Sequence, residues 1–406
     1  MRILHTSDWH LGARLCDRDR VDEHKQFLDW LLETINSHSI DILLVSGDIF
    51  DSTNPPNSAE KLYYNFLCSL NDSNCSATVI TGGNHDSISK LDSPRELLTH
   101  LSVYVNGGIG SSPEDDIFPI NNDRNEIIAI ISAIPFLRER DIHIPVAGES
   151  WQDRERRVTA GIKDYYDRSS IAASKIKSGN RIPVIAMGHL FATGSFSGSG
   201  ERDLYVGNLG NITIEDFPDI FSYTALGHIH RPQKVSGRED IRYSGSPLHM
   251  DFGEKGEKEV IVVDFNEDRI KSIESITIPI FKKLIRFRGS FDAICANIDS
   301  FIDPGIPFLA DAEVHGGAGA GDISKILNDK AILKGFEFLR VRITSEKCEN
   351  IISTSKKVEI KDLSIEEVFL NRCQKANLTS TEADELLPLH NELLVTVQSG
   401  ECDNEN

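Results

Sequence analysis

Ile42-Leu43-Leu44-Val45-Ser46-Gly47-Asp48-Ile49-Phe50-Asp51 opens as an apolar run of strand character and closes on a glycine followed by two carboxylates. A run of this kind, bounded by Gly and polar residues, predicts a buried strand whose C-terminal end carries a loop. Other stretches repeat the arrangement. Ile3-Leu4 leads to Asp8-Trp9-His10, Thr78 to Thr81 leads to Gly83-Asn84-His85-Asp86, Val184 to Met187 leads to Gly188-His189, and Tyr223 to Leu226 leads to Gly227-His228-Ile229-His230. Loops at the carboxyl ends of neighbouring strands in an open α/β sheet converge on one crevice, so the five pieces predict an α/β fold with a single shared site. Side chains two apart on a strand face the same way, which predicts that Asp8 pairs with His10 and His228 with His230. Glycine before Asp48, Asn84, His189 and His228 suits tight turns beside a crowded site.

The candidate ligands are the imidazoles of His10, His189, His228 and His230, the carboxylates of Asp8 and Asp48, and the amide oxygen of Asn84, with no thiolate. This donor mixture suits Mn²⁺, Fe or Zn²⁺ better than Mg²⁺. These residues can serve two ions only if one carboxylate bridges. Two ions roughly 3.5–4 Å apart clamp a phosphate, lower the pKa of water and stabilise the attacking and leaving oxygens, so phosphoester hydrolysis is the reaction indicated. Taken alone, each piece has a plainer reading, as a strand end, an Asn-containing turn or a pair of half-buried histidines. Their joint presence in order and in strand context is what carries the argument.

The pattern D-x-H, G-D-x-x-D, G-N-H-D, H, G-H-x-H resembles that of the calcineurin-like metallophosphoesterases. Met1 to Gly12, the Asn54-Pro55-Pro56 after Asp51, and Tyr243-Ser244-Gly245-Ser246-Pro247-Leu248 running into Asp251-Phe252-Gly253-Glu254 and Lys258 resemble the SbcD family within it. That family is the bacterial branch of the double-strand-break repair nucleases. The resemblance is close over about residues 1–280 and continues to 370 by arrangement. It implies a four-layer metallophosphoesterase β-sandwich flanked by helices, with a small α+β capping domain and C-terminal helices. It also implies that Asp8, His10, Asp48 and His230 hold one ion while Asp48, Asn84, His189 and His228 hold the other, with Asp48 as the bridge and Mn²⁺ as the expected metal. His85 matches the family's non-ligand histidine, expected to stabilise charge on the phosphate and assist the leaving oxygen. Asp86 is expected to orient that ring. Where archaeal and eukaryotic members carry a second histidine three residues after the bridge, this chain has Asp51, as the bacterial branch commonly does. Asp51 is a candidate to orient His10, His85 or a metal-bound water, or to cap a turn.

By the same resemblance the activity is ATP-dependent 3′–5′ exonuclease action on double-stranded DNA and endonuclease action on single strands and hairpins, in DNA repair, replication and recombination. The chain has no Walker motif, so ATP dependence implies an SbcC-type ATPase partner, two copies of each chain forming a heterotetramer. A homodimer is expected, with Leu62, Tyr63, Phe66 and Leu67 as interface candidates. Core packing is the other reading of these four. Two further functions stay open: a cytoplasmic phosphoesterase acting on nucleotides or other small phosphoesters, and a DNA-end scaffold with a vestigial site.

Sixty-three acidic against 43 basic residues give a formal net charge of −20. Affinity for nucleic acid rests largely on Lys and Arg neutralising phosphates, so this charge favours the small-ester alternative and argues against non-specific DNA binding. Basic residues do cluster, at Arg14, Arg18 and Arg20, at Arg138 and Arg140, at Arg154, Arg156 and Arg157, and at Lys282, Lys283, Arg286 and Arg288. Each cluster is read first as a solvated face. Seven cysteines without a C-x-x-C pair suit a reducing compartment. The longest apolar stretch, Ile127 to Leu137, is far short of the roughly 20 residues of a membrane span, and the first strand begins where a leader would sit. A cytoplasmic protein without membrane contact is expected.

Three regions are expected: a nuclease domain over 1–279, a capping domain over 280–360, and partner-binding helices with an acidic tail over 361–406. Helical periodicity marks Asp22 to Asn36 and Ala59 to Leu70. The Gly- and Ser-rich stretch from Ala192 to Ile212 predicts a mobile loop beside the site. After Pro279 the pattern alternates strand, helix, strand, helix, strand. The run Gly316 to Gly321 lacks the G-K-[ST] ending of a phosphate loop and reads as a connection. From Ile365 to Cys373 and from Thr379 to Leu394, two amphipathic stretches, the second broken by Pro388, suit docking on the partner's coiled coil.

Overall fold

Alternate residues of the central strands belong to different hydrophobic cores, and that alternation builds the layers. The computed structural model describes residues 1–344 apart from 123, 143–149, 193, 196–211 and 317–319, together with residue 386. Ile3, Ile42 and Leu44 pack toward Ala129, Ile131, Ile185, Met187, Tyr223 and Ala225, whereas Leu4, Leu43 and Val45 face the opposite way toward helices. Period-two burial on both faces is what a sheet enclosed on both sides requires.

The first sheet has six strands in the order Arg269–Thr277, Glu259–Asn266, Arg2–Thr6, Ile42–Ser46, Ala77–Thr81 and Val103–Asn106. The last four run parallel, and Glu259–Asn266 is antiparallel to both of its neighbours. The second sheet also has six strands, in the order Gln233–Lys234, Ile241–Tyr243, Phe221–Gly227, Val184–His189, Ile127–Ala133 and Ile117–Asn121. Its middle four are parallel. Helices Val21–Ser37 and Asn57–Leu70 cover the first sheet, burying Phe27, Leu31, Ile35, Tyr63, Phe66 and Leu67 around Trp9. Helix Trp151–Lys177 covers the second through Val158, Ile162, Tyr165, Tyr166 and Ala173. Helix, sheet, sheet, helix is the expected four-layer α/β sandwich.

The long helix Trp151–Lys177 is an addition to the elements expected from sequence, where only its arginines stood out. Those arginines lie on its solvent side: Arg154 pairs with Glu139, and Arg156 with Asp153. Tyr63, Phe66 and Leu67 are 1, 5 and 1% exposed and pack in this chain's own core, where Phe50 meets the Tyr63 ring and Trp9 the Phe66 ring. Core packing accounts for them, and they are withdrawn as candidates for a dimer interface.

Beyond Pro279, strands Lys283–Gly289, Phe308–His315 and Phe338–Thr344 form a three-stranded sheet, with helices Phe291–Asp299 and Ala320–Leu333 between them in sequence. Phe287, Phe301, Phe308, Phe336 and Phe338 make an aromatic cluster. The two amphipathic stretches after residue 361, most of 192–212 and the centre of 316–321 lie outside the described residues. Ala192 and Ile212, at the ends of the Gly- and Ser-rich stretch, are joined by a bridge. The described cysteines Cys16, Cys68, Cys75 and Cys295 are free thiols. Among the described residues no helix is long and apolar enough to cross a membrane.

Candidate metal centre

Five strands, Arg2–Thr6, Ile42–Ser46, Ala77–Thr81, Val184–His189 and Phe221–Gly227, deliver the candidate ligands at or just past their C-terminal ends. Asp8, His10 and His230 form one group, and Asp48, His189 and His228 another, the donor atoms of each lying within 4.8 Å of one another. Asn84 joins the second group, its Oδ1 standing 3.0 Å from both His189 Nε2 and His228 Nδ1. Asp48 lies between the groups: its Oδ2 is 3.6 Å from His10 Nε2 and 3.3 Å from His189 Nε2.

The pairing of Asp8 with His10, and of His228 with His230, does not come from strand alternation. The strands have already ended, and Asp8, His10, Asp48 and His228 have φ of 53°, 46°, 50° and 97°. Non-glycine residues rarely adopt positive φ, and its concentration here marks strain held by surrounding bonds. The peptide N–H of Asp8 donates to the Gly47 carbonyl and that of His10 to the Asp48 carbonyl, each at 3.0 Å, while the His228 N–H donates to Asp8 Oδ1 at 2.8 Å. These cross-loop bonds lock the turns to one another. Close approach explains two of the glycines: a Cβ on Gly83 would overlap the Asp48 carboxylate, and one on Gly227 the Ser46 carbonyl.

For His189 a hydrogen bond at the far side of the ring decides which nitrogen faces inward. His189 Nδ1 donates to the Ser46 carbonyl at 3.0 Å, which leaves Nε2 as a lone pair directed at Asn84 Oδ1. With His189 neutral, its Nε2 lone pair faces the Asn84 oxygen, and the Nε2 atoms of His10 and His230 stand 3.1 Å apart with room for at most one proton between them. These inward-facing nitrogens and oxygens are the donors a divalent cation in each group would use, so the donor set fits two metal ions.

Without a cation, burial and neighbouring charge decide the protonation of these groups. Burial opposes charge on His189, but the neighbouring Asp48 carboxylate outweighs it and raises the imidazole to about 9. Burial likewise opposes charge on Asp48, yet His189 and then His10 hold it well below the usual carboxylate range. His228 goes the other way, lowered to about 3 by burial and by His189. The raised pKa of His189 makes its proton stabilising: the contribution is complete below the ordinary 6.5 and is lost as pH rises through about 9. In EDTA the melting temperature is therefore expected to fall between pH 6.5 and 9, and saturating Mn²⁺ is expected to remove the fall by replacing the proton. A flat profile in EDTA would contradict the assignment.

The contacts of Asp86 differ from expectation, and those of Asp51 agree with one of the roles open to it. Asp86 does not orient the His85 ring. Its buried carboxylate accepts the N–H groups of Ile49, Phe50 and Gly83 at 3.0, 2.9 and 2.8 Å, tying the loop after Ile42–Ser46 to the loop after Ala77–Thr81. Burial and then Asp48 push it up to about 6. The contacts that reach these rings come from Asp51: its carbonyl accepts His85 Nδ1–H at 2.8 Å, and its Oδ1 lies 3.4 Å from His10 Nδ1. Asp51, His10 and His85 also form a third group of possible ligands.

Most of the basic clusters resolve into internal ion pairs. Arg20 is buried against Glu23 and the His249 carbonyl, Arg286 pairs with Asp311 and Asp251, and Arg288 with Glu313. Arg138 sits beside the site, donating to the Asp86 carbonyl at 3.2 Å. Ser7 touches Asp8 and Glu254 faces His230, with Ser244 behind Ser7, and the residue pattern gave no reason to single them out as contacts.

Residues 1–232 match the family profile of the calcineurin-like phosphoesterases. Over 400 residues the chain is 34% identical to SbcD, the D component of nuclease SbcCD, of Escherichia coli strain K12, an alignment that covers 98% of each. The SbcD of Bacillus subtilis strain 168 is 28% identical over 405 residues, 98% of this chain and 99% of the relative. The one from Rhodobacter capsulatus is 35% identical over 263 residues, 63% of this chain and 64% of the relative.

Proposed function

The chain belongs to the calcineurin-like phosphoesterases and, within them, to the SbcD family of nucleases, and from that premise we propose that its site cuts DNA phosphodiesters with two Mn²⁺ ions in the service of an SbcC-type ATPase. It is a metal-dependent phosphodiester hydrolase of the nuclease class. The observation that carries the proposal is the convergence of Asp8, His10, Asp48, Asn84, His189, His228 and His230 on one place, with Asp48 between two groups.

In this proposal Asp8, His10, Asp48 and His230 hold one ion and Asp48, Asn84, His189 and His228 the other. Bound there, the ions would polarise a phosphoryl oxygen, make water acidic enough to attack at neutral pH and stabilise the leaving oxygen. His85 stands outside both sets. With Nδ1–H spent on the Asp51 carbonyl, its Nε2 is left to hold a proton toward the phosphate or the departing oxygen. Asp51 keeps that ring and His10 in orientation, and Asp86 fixes the two loops relative to each other.

The finer activity we propose is ATP-dependent 3′–5′ exonuclease action on double strands and endonuclease action on single strands and hairpins, in repair, replication and recombination in the cytoplasm. Residues 1–279 are assigned to the nuclease domain, 280–360 to a cap, and 361–406 to partner binding in a heterotetramer of two ATPase and two nuclease chains. A homodimer of nuclease chains is part of this assignment.

The test incubates the protein, with and without the ATPase partner, with a DNA hairpin, Mn²⁺ and ATP, alongside an aryl phosphodiester. Hairpin cleavage by the complex is expected. Hydrolysis of the aryl ester alone would favour the small-phosphoester reading that the charge of −20 suits. Stoichiometric metal binding with no hydrolysis of either would indicate a vestigial scaffold.

A further inference from the structure

The ligand group of Asp8, His10 and His230 is braced by a charged network that comes from the segment Ser244 to Lys258. Ser7 Oγ gives its single proton to Asp8 Oδ2 at 2.5 Å, so its 2.8 Å contact with Ser244 Oγ is donated by Ser244. Lys258, 7% exposed, directs Nζ to the His230 carbonyl at 2.8 Å, Ser246 Oγ at 2.9 Å and Glu254 Oε2 at 2.7 Å, which uses all three ammonium protons. The Ser246 N–H also donates to the His230 carbonyl, at 3.2 Å. Gly245, with φ of 77°, makes the turn, and a Cβ there would lie 2.7 Å from the same carbonyl.

The second oxygen of Glu254 is turned toward the His230 ring: Oε1 lies 3.6 Å from Nδ1, while Nε2 on the other side of the ring meets His10 Nε2 at 3.1 Å. Both Glu254 and His230 are largely shielded, with 16% and 14% of their side-chain surface exposed. A carboxylate behind a ligating imidazole fixes its tautomer and rotation and raises its basicity, and such partners are typically worth 10–100-fold in metal affinity. His189 in the other group has the neutral Ser46 carbonyl behind its Nδ1. The partner behind the His230 ring is thus a carboxylate, and that behind the His189 ring a neutral carbonyl.

Resting on the two-metal reading above, we infer that Glu254, held in place by Lys258, is the positioning residue for His230 and sets the affinity of the ion bound by Asp8, His10 and His230 without setting that of its neighbour. The proton on Nδ1 is kept on the Glu254 side, so Nε2 remains a donor lone pair. With Glu254 removed, the tautomer carrying hydrogen on Nε2 becomes accessible and places that proton inside the ligand group.

The experiment is a Mn²⁺ titration of the full chain by calorimetry and electron paramagnetic resonance, for wild type, Glu254→Ala, Glu254→Gln and Lys258→Met. Wild type is expected to take two ions and to give the signal of a spin-coupled pair. Glu254→Ala is expected to bind one ion normally and the other about 10–100-fold more weakly, so that an uncoupled Mn²⁺ signal persists where wild type is fully paired. Glu254→Gln should fall between, since its amide oxygen still accepts a hydrogen bond but carries no charge, and Lys258→Met should follow the same direction. Wild-type pairing in Glu254→Ala overturns the inference, as does equal weakening of both sites. If Glu254→Ala fails to fold by its thermal melt, Glu254→Gln decides alone, one-site weakening supporting the inference and none overturning it. A wild type that never pairs two ions overturns the two-metal reading and this inference together, which separates the two failures.

Discussion

Asp48→Asn is expected to abolish paired metal binding and to lower the rate of DNA cleavage by about 10³-fold or more. Asp48 is 2% exposed and is the carboxylate that lies against both groups, 3.6 Å from His10 Nε2 and 3.3 Å from His189 Nε2. Asparagine keeps the size and one oxygen but not the charge. Asp8 would then be the only anion among the seven proposed ligands for two dications, and buried charge without compensation is strongly disfavoured. A metal centre supplies several kcal/mol of transition-state stabilisation, and each ~1.4 kcal/mol is tenfold in rate. Calorimetry with Mn²⁺ and single-turnover cleavage of a hairpin check the two halves of this expectation. A variant that still binds two ions tightly and cuts at the wild-type rate would remove Asp48 from the bridging position.

His85→Gln separates chemistry from metal binding. The substitution is expected to cost at least ~10²-fold in rate, the usual scale for a positioned acid or base, while two Mn²⁺ ions still bind. Two observations support the separation. The contact of His85 with Asp48 Oδ1, at 2.9 Å, is made by its backbone N–H and survives the change. Its Nδ1 is held by the Asp51 carbonyl, so the ring is fixed by a group outside the proposed ligand set. The competing arrangement is the group of His10, Asp51 and His85, which could itself hold an ion. Loss of one Mn²⁺ in His85→Gln, with the remaining chemistry intact, would favour that group and remove His85 from the acid–base role.

Asp51 and Asp86 show why a motif identifies a site more readily than it assigns roles within it. Adjacency in sequence suggested that Asp86 serves His85. In three dimensions its carboxylate turns away to gather three peptide N–H groups from two loops. Asp51, 34 positions from His85, supplies the orienting carbonyl. Backbone carbonyls bear no residue label, so no reading of side-chain types finds such a contact. Glu254 is a similar case: it lies 24 positions after His230, and only the turn at Gly245 and the bonds of Lys258 bring its carboxylate behind that ring.

By itself the sequence determined which residues could make the centre and on what scaffold. Ile42 to Val45 and its counterparts are apolar runs too short for helices, and each ends in Gly or polar residues carrying imidazole, carboxylate or amide. Burial of such runs forces strands, and parallel strands bring their C-terminal ends to one edge. Tertiary structure alone decided the arrangement within the centre. It placed Asp8, His10, Asp48 and His228 at positive φ, put Asp48 between the two groups, buried Tyr63 and Phe66 in the core, and gave one group a charged brace. The physical reason is range: strand formation follows from local periodicity and burial, whereas ring orientation, tautomer and backbone strain depend on hydrogen bonds between loops that are distant in sequence and meet only when the two sheets pack.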